Sequence, residues 1–148
     1  MPRNLVVLLS ILFAGPSLAA EVQECTPETV DVGNIPEPWE THSRSFANGA
    51  VRIAVLDTVE PAVGAFYLLV LMDSDDPWRR CRIVAAQASG FAALSLDAMQ
   101  SAYDPATGLR LSMDVQQFDV ETGRPEPAVL NVLINQTNGT VTAESGAP

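Results

Sequence analysis

The sequence reads Ala50-Val51-Arg52-Ile53-Ala54-Val55-Leu56-Asp57 and, after a break at Glu60-Pro61, Ala65-Phe66-Tyr67-Leu68-Leu69-Val70-Leu71-Met72. Each run is eight residues long and rich in aliphatic and aromatic side chains. A membrane-spanning helix needs about 20 apolar residues, so neither run is long enough to cross a bilayer as a helix. Continuous apolar runs of this length are typical of strands buried on both faces. We therefore expect two neighbouring central strands of one sheet.

The second half of the chain repeats one turn pattern three times. Asp or Asn at the start of such a turn accepts a backbone hydrogen bond, and the glycine at its end takes the left-handed conformation. Between the first two turns, apolar residues alternate with polar ones from Leu109 to Gln116, which predicts a half-buried strand. The three turns are Asp104-Pro105-Ala106-Thr107-Gly108, Asp119-Val120-Glu121-Thr122-Gly123 and Asn135-Gln136-Thr137-Asn138-Gly139.

About seven strands and no convincing long helix predict an all-β domain. We expect a single small antiparallel β-sandwich of immunoglobulin-like architecture over residues 49–148, and the alternative is a small closed β-barrel. Residues 97–103 fit either a bent strand or a short helix, and we favour the strand. Prolines break any regular period in residues 20–48, which predicts an irregular Pro-rich N-terminal arm. In that arm, Ile35 and Trp39 are expected to press onto the sheet.

The first 19 residues have the features of a secretory signal peptide. A basic start at Arg3 precedes an apolar run from Leu5 to Ala14, and the small residues Ser17 and Ala19 suit a cleavage site after Ala19. Removing 19 of the 148 residues leaves 129, enough for one domain with a single core. We expect a periplasmic or secreted protein with no membrane span in the mature chain.

The chain has two cysteines, Cys25 and Cys81. An even number of cysteines in an exported chain predicts one disulfide, which here would tie the arm to the third predicted strand. The alternative is a redox or metal pair. No second cysteine lies two residues away and other ligands are sparse nearby, so the sequence favours the structural bridge.

The charge of the chain is strongly negative. All eight basic residues are Arg, against eighteen acids, and the loss of Arg3 with the signal peptide changes the net charge from −10 to −11. Such a chain is repelled by nucleic acid and by anionic lipid. The excess of carboxylates serves solubility or the recognition of a basic partner.

The densest acid cluster is Asp73, Asp75 and Asp76, followed by Trp78. Acids beside an aromatic residue make this loop the predicted partner contact. Calcium is an alternative ligand for such carboxylates. The spacing is not that of an EF-hand, because Trp78 stands where glycine is needed and Val84 where glutamate is needed. Trp78 is expected either to cap the core or to form an apolar lip with residues 60–64.

Catalytic and cofactor signals are weak in this sequence. The single histidine, His42, lies beside Ser43 and Ser45, but nothing there resembles a nucleophile elbow. We expect no cofactor and no resident metal. The leading hypothesis is a small exported non-enzymatic protein that binds another protein or component of the bacterial envelope. The alternatives are an inhibitor of a basic secreted enzyme such as a lysozyme, and a hydrolase without an identifiable site.

Overall fold

The structure is a computed structural model, and it describes residues 20–87 and 89–148. The predicted signal peptide, residues 1–19, lies outside the described residues. Ten strands form in the described part of the chain. They are β1 (Ala20–Glu24), β2 (Ser43–Phe46), β3 (Val51–Asp57), β4 (Phe66–Met72), β5 (Arg80–Ala86), β6 (Ala93–Leu94), β7 (Gln100–Asp104), β8 (Gly108–Asp119), β9 (Arg124–Asn135) and β10 (Thr140–Gly146). The helical elements are α1 (Trp39–His42) and the 3₁₀ turns Val32–Asn34 and Ala47–Gly49.

The strands form two antiparallel sheets that pack face to face. The first sheet has the order β1-β5-β4-β3-β2, and the second has the order β10-β9-β8 with β6 and β7 both paired to the far edge of β8. The predicted all-β sandwich is therefore confirmed. No closed barrel forms among the described residues, so the barrel alternative is wrong. Strands β2 to β5 of the first sheet and β7 to β10 of the second are connected as meanders, whereas β1 and β6 pair with strands that do not follow them in the chain. The chain passes from one sheet to the other between β5 and β6.

The two apolar runs are neighbouring central strands, as predicted. β3 and β4 pair with each other, and β2 and β5 flank them. Side chains such as Val55 and Leu68 face the second sheet and are fully buried. On the outer face of the same strands, Leu56 and Leu69 belong to a separate buried cluster. Burial of both faces explains why these runs have almost no polar residue.

The second sheet supplies the other half of the core. The predicted alternation holds along β8, and its inward side chains pack between the sheets. Those of β9 do the same, whereas the outward residues are polar or only half-buried. The inward set is Leu109, Leu111, Met113 and Val115 from β8, and Ala128, Leu130, Val132 and Ile134 from β9.

All three Gly-ended turns connect hairpins, and each glycine has a positive φ, as predicted: 109° at Gly108, 67° at Gly123 and 69° at Gly139. The first side chain of each turn accepts two backbone N–H groups through Oδ1. These hydrogen bonds lower the pKa of Asp104 and of Asp119, because they stabilise the carboxylate. The pairs are Ala106 and Thr107 at Asp104, Thr122 and Glu121 at Asp119, and Thr137 and Asn138 at Asn135.

The arm contains more regular structure than its sequence indicates. β1 pairs with β5 at one edge of the first sheet, and β2 pairs with β3 at the other edge. The segment between them, residues 25–42, therefore crosses the outer face of that sheet. Neither strand shows a convincing period, because each has only four or five residues and its pairing depends on a distant neighbour. The strand predicted over 97–103 is confirmed in its second part by β7.

One buried polar pair lies at the edge of the core. Gln117 on β8 is 6 % exposed and Ser145 on β10 is 2 % exposed. Gln117 Nε2 donates a hydrogen bond of 2.6 Å to Ser145 Oγ. In the described part of the chain, Gln117 Oε1 has no hydrogen-bond partner. A buried acceptor without a donor costs about 1–3 kcal/mol.

We expect Ser145→Ala to lower the free energy of unfolding by about 1–2 kcal/mol, because Gln117 Nε2 then loses the hydroxyl oxygen that accepts its hydrogen bond inside the core. Adding Gln117→Leu should recover most of that loss, since an apolar side chain needs no partner. Urea denaturation of the single and double variants measures both effects. A double variant less stable than Ser145→Ala would show that the Gln117 amide is itself stabilising.

Candidate functional site

The predicted contact residues lie on the loop between β4 and β5, residues 73–79, which is called the Trp78 loop below. It lies at one end of the sandwich, together with the turns 47–50 and 136–139. Arg80 Nη1 donates to the carbonyl oxygen of Asn138 at 3.4 Å and so connects the loop ends of the two sheets. This end is called the upper end, and the hairpin turn 120–123 lies at the opposite end of β8.

The base of the Trp78 loop is tied to the turn before β3. The backbone N–H of Asp73 donates to the carbonyl oxygen of Ala50 at 2.9 Å. Arg79 Nη1 donates to Asp73 Oδ1 at 2.8 Å and to the carbonyl oxygen of Gly49 at 3.0 Å. One guanidinium therefore holds both ends of the loop against the neighbouring turn.

Inside the loop, Ser74 acts as a clamp. Its hydroxyl donates to the carbonyl oxygen of Trp78 at 2.8 Å and accepts from the backbone N–H of Asp76 at 3.2 Å. These bonds fold the loop into a compact turn. The indole is left outside, and Trp78 is 81 % exposed.

Both expectations for Trp78 are wrong. It does not cap the core, because its side chain points into solvent. It does not form a lip with residues 60–64 either. That segment precedes β4 and the Trp78 loop follows it, so the two lie at opposite ends of the same strand.

Both acidic and basic side chains surround the Trp78 loop, although the sequence analysis singled out only its three aspartates. Asp73 is paired with Arg79, and Glu24 of β1 is paired with Arg82 of β5 at 2.9 Å. These are the two ion pairs formed within the described residues. The carboxylates of Asp75 and Asp76 therefore remain without a cationic partner there. They are the acids of this loop that can meet another molecule.

A cavity of about 580 Å³ separates the loop from the start of the arm. It is lined by Trp78 and Asp76 on one side and by Glu24 on the other, with Arg80 and Arg82 between them. The lining carries both signs of charge. These charged side chains can bind a polar or charged side chain of a partner.

The predicted disulfide is confirmed and forms one wall of this cavity. Cys25 and Cys81 are bonded with a Cα–Cα distance of 5.7 Å, within the usual range for such bridges. The bridge fastens the arm to β5 directly beside the loop. The predicted contact residues and the bridge therefore form one site, with Asp75, Asp76 and Trp78 at its exposed tip.

The hydrogen bonds of His42 lie within its own segment of the chain. Its Nδ1 lies 3.0 Å from the carbonyl oxygen of Pro38 and 3.0 Å from Thr41 Oγ1. Ser43, the adjacent hydroxyl, donates instead to the carbonyl oxygen of Trp39. Across residues 20–87 and 89–148, no group of three or more His, Cys, Asp or Glu side chains is placed to hold a metal ion.

A second concave region lies on the outer face of the first sheet and was not predicted. It has a volume of about 800 Å³ and is called the outer groove below. Ile35 packs onto the outer cluster, as expected, but Trp39 is 47 % exposed and forms a wall instead of pressing flat. The residues that define the groove are Ile35, Trp39, Arg44, Arg52, Leu69 and Leu71.

No protein-family model, curated protein or solved structure matches this chain in the three comparisons. In the part of the chain that the structure describes, no helix is both long and apolar enough to cross a membrane.

Proposed function

We propose that this chain is an exported, non-enzymatic binding protein of the bacterial envelope, periplasmic or secreted, which recognises a basic protein through the Trp78 loop. The observation that carries the proposal is the indole of Trp78, 81 % exposed on a loop that is hydrogen-bonded at its base and at its centre. Tryptophan is among the residues most enriched at the energetic centres of protein interfaces.

The order of the loop favours binding. A partner that contacts a pinned loop loses little of its binding energy to ordering it. Arg79 and Ser74 supply that order here. Asp75 and Asp76 precede Trp78 in the same loop, and no described cation pairs with them. A Lys or Arg of the partner can therefore approach these acids and the indole.

The charge of the whole chain supports a basic partner. A net charge of −10 attracts cationic proteins over a distance and speeds their encounter. The effect fades as salt shortens the screening length from about 10 Å at 0.1 M. Short-range contact by Trp78 then determines how long the complex lasts.

The test begins with cross-linking capture of the partner from a periplasmic extract, followed by binding kinetics with the purified partner. Asp75→Arg combined with Asp76→Arg should slow association about tenfold at low salt. Glu121→Arg combined with Glu126→Arg is the matched control, because it changes the net charge equally at the opposite end of the sandwich. The control should slow association much less.

Trp78→Ala should speed dissociation by roughly 30-fold, the equivalent of about 2 kcal/mol at an interface centre. If both charge-reversed variants slow association equally, only the net charge matters and the loop is not the contact. If none of the variants changes binding, the contact lies elsewhere. If the partner is a basic secreted enzyme, a loss of its activity on binding would favour an inhibitor over a simple binding protein.

A further inference from the structure

The outer groove combines an apolar floor with an aromatic wall. Its floor is the outer face of β3 and β4, where Ala54 pairs with Leu69 and Arg52 pairs with Leu71. Its wall is the arm, which crosses this face after the Cys25–Cys81 bridge. The outer face of β3 is not completely covered, because Ala54 is buried but Arg52 is exposed. A volume of about 800 Å³ lies within the range of small-molecule sites.

Two arginines lie in the groove without a carboxylate partner. Arg44 Nη1 donates to the carbonyl oxygens of Glu40 and Ser43, each at 2.7 Å. These neutral carbonyl groups orient the guanidinium but do not neutralise its positive charge. The side chain of Arg52 makes neither an ion pair nor a hydrogen bond within the described residues.

The charge of the groove is opposite to that of the chain. The charged side chains in its lining are Arg44, Arg52 and Glu40, so the lining carries one more positive than negative charge. The chain as a whole has eighteen acids against eight basic residues. The groove therefore differs from the chain as a whole, because two arginines without carboxylate partners border it. Charge complementarity therefore selects an anion with an apolar body.

We propose that the outer groove binds a free single-chain anionic amphiphile, a carboxylate with a medium-length hydrocarbon tail. The tail lies on Leu69 and Leu71 against Trp39, where it is removed from water. The carboxylate lies beside Arg52, whose planar guanidinium can donate two parallel hydrogen bonds to it. Because the net charge of the protein is −10, an anionic bilayer surface is repelled, and the ligand is taken from solution.

The binding test uses the fluorescence of Trp39. The chain has two tryptophans, so Trp78→Phe leaves Trp39 as the single reporter, and the exposure of Trp78 means that the fold does not depend on it. Decanoate and decyltrimethylammonium are titrated below their micelle concentrations, and decanol is titrated below its solubility limit. We expect a saturable change with decanoate, binding at least tenfold weaker with decanol, and none with the cation. Equal binding of decanoate and decanol, or no saturable binding of decanoate, would overturn the proposal.

Variants separate the head-group contact from the tail contact. Arg52→Gln should weaken decanoate binding about tenfold and leave decanol unchanged. Leu71→Asn should weaken both ligands. Arg110→Gln removes one exposed arginine on the second sheet and is the matched control, with no expected effect on either ligand. If Arg110→Gln and Arg52→Gln weaken decanoate equally, the groove does not recognise the carboxylate, and the proposal fails.

Discussion

Replacement of both Cys25 and Cys81 by serine is expected to lower the free energy of unfolding by about 4 kcal/mol. The two residues are 56 positions apart, and a bridge across that length restricts the unfolded chain by about this amount in the chain-entropy account. The effect is large for a single domain, since the total stability of such domains is about 5–15 kcal/mol.

The same variant should also loosen the arm over the outer face of the first sheet. The bridge lies at the start of the segment that crosses this face, and the cluster beneath it includes Leu56, Leu69 and Ile83. Urea denaturation is monitored by the fluorescence of Trp39 in the Trp78→Phe background. The transition gives the free energy of unfolding, and the fluorescence before the transition reports whether the arm is still packed on the sheet. The reduced wild-type chain is the control and should behave like the serine variant. A loss below 1 kcal/mol would mean that Val30 and Ile35 hold the arm without the bridge.

Gly108→Ala has the second-largest expected effect, a loss of about 3 kcal/mol. Its φ of +109° lies in the region that residues with a side chain rarely adopt. A Cβ atom added there would clash with the carbonyl oxygen of Ile134. Backbone strain of about 1–2 kcal/mol and the repulsion from a fixed carbonyl, worth about 1–3 kcal/mol, act together.

Gly123→Ala is the matched control for this change. Gly123 ends the same kind of turn with a φ of +67°, but an added Cβ would meet nothing within 4 Å. It should therefore cost about 1 kcal/mol, the backbone term alone. Thermal and urea unfolding of the two variants give the comparison. Equal losses at the two positions would show that the contact with Ile134 adds nothing and that the backbone conformation explains both effects.

Features that depend on neighbouring residues in the chain could be predicted. The apolar runs in β3 and β4, the alternation along β8 and the Gly-ended turns each follow from side chains a few positions apart. The bridge between Cys25 and Cys81 was predictable for a different reason, because only one pairing of two cysteines exists.

The edges of the first sheet could not be predicted in the same way. β1 and β2 are strands because β5 and β3 offer unpaired backbone groups to them, and not because of a period in their own sequences. The prediction of an irregular arm over residues 20–48 therefore missed the two short strands, β1 and β2, that complete a five-stranded sheet.

The same distinction between adjacent and distant residues applies to the two candidate sites. The residue order was enough to predict that Asp73, Asp75, Asp76 and Trp78 share one loop. The pairing of Arg79 with Asp73 and the exposure of Trp78 depend on the folded arrangement and could not be predicted. The outer groove was not predicted, because Arg44, Arg52 and Leu71 come together only when β2, β3 and β4 pair. Ile35 and Trp39 join them from the segment that crosses the sheet. Burial and charge pairing depend on groups brought together from distant parts of the chain, whereas turns and strand periods depend on adjacent residues.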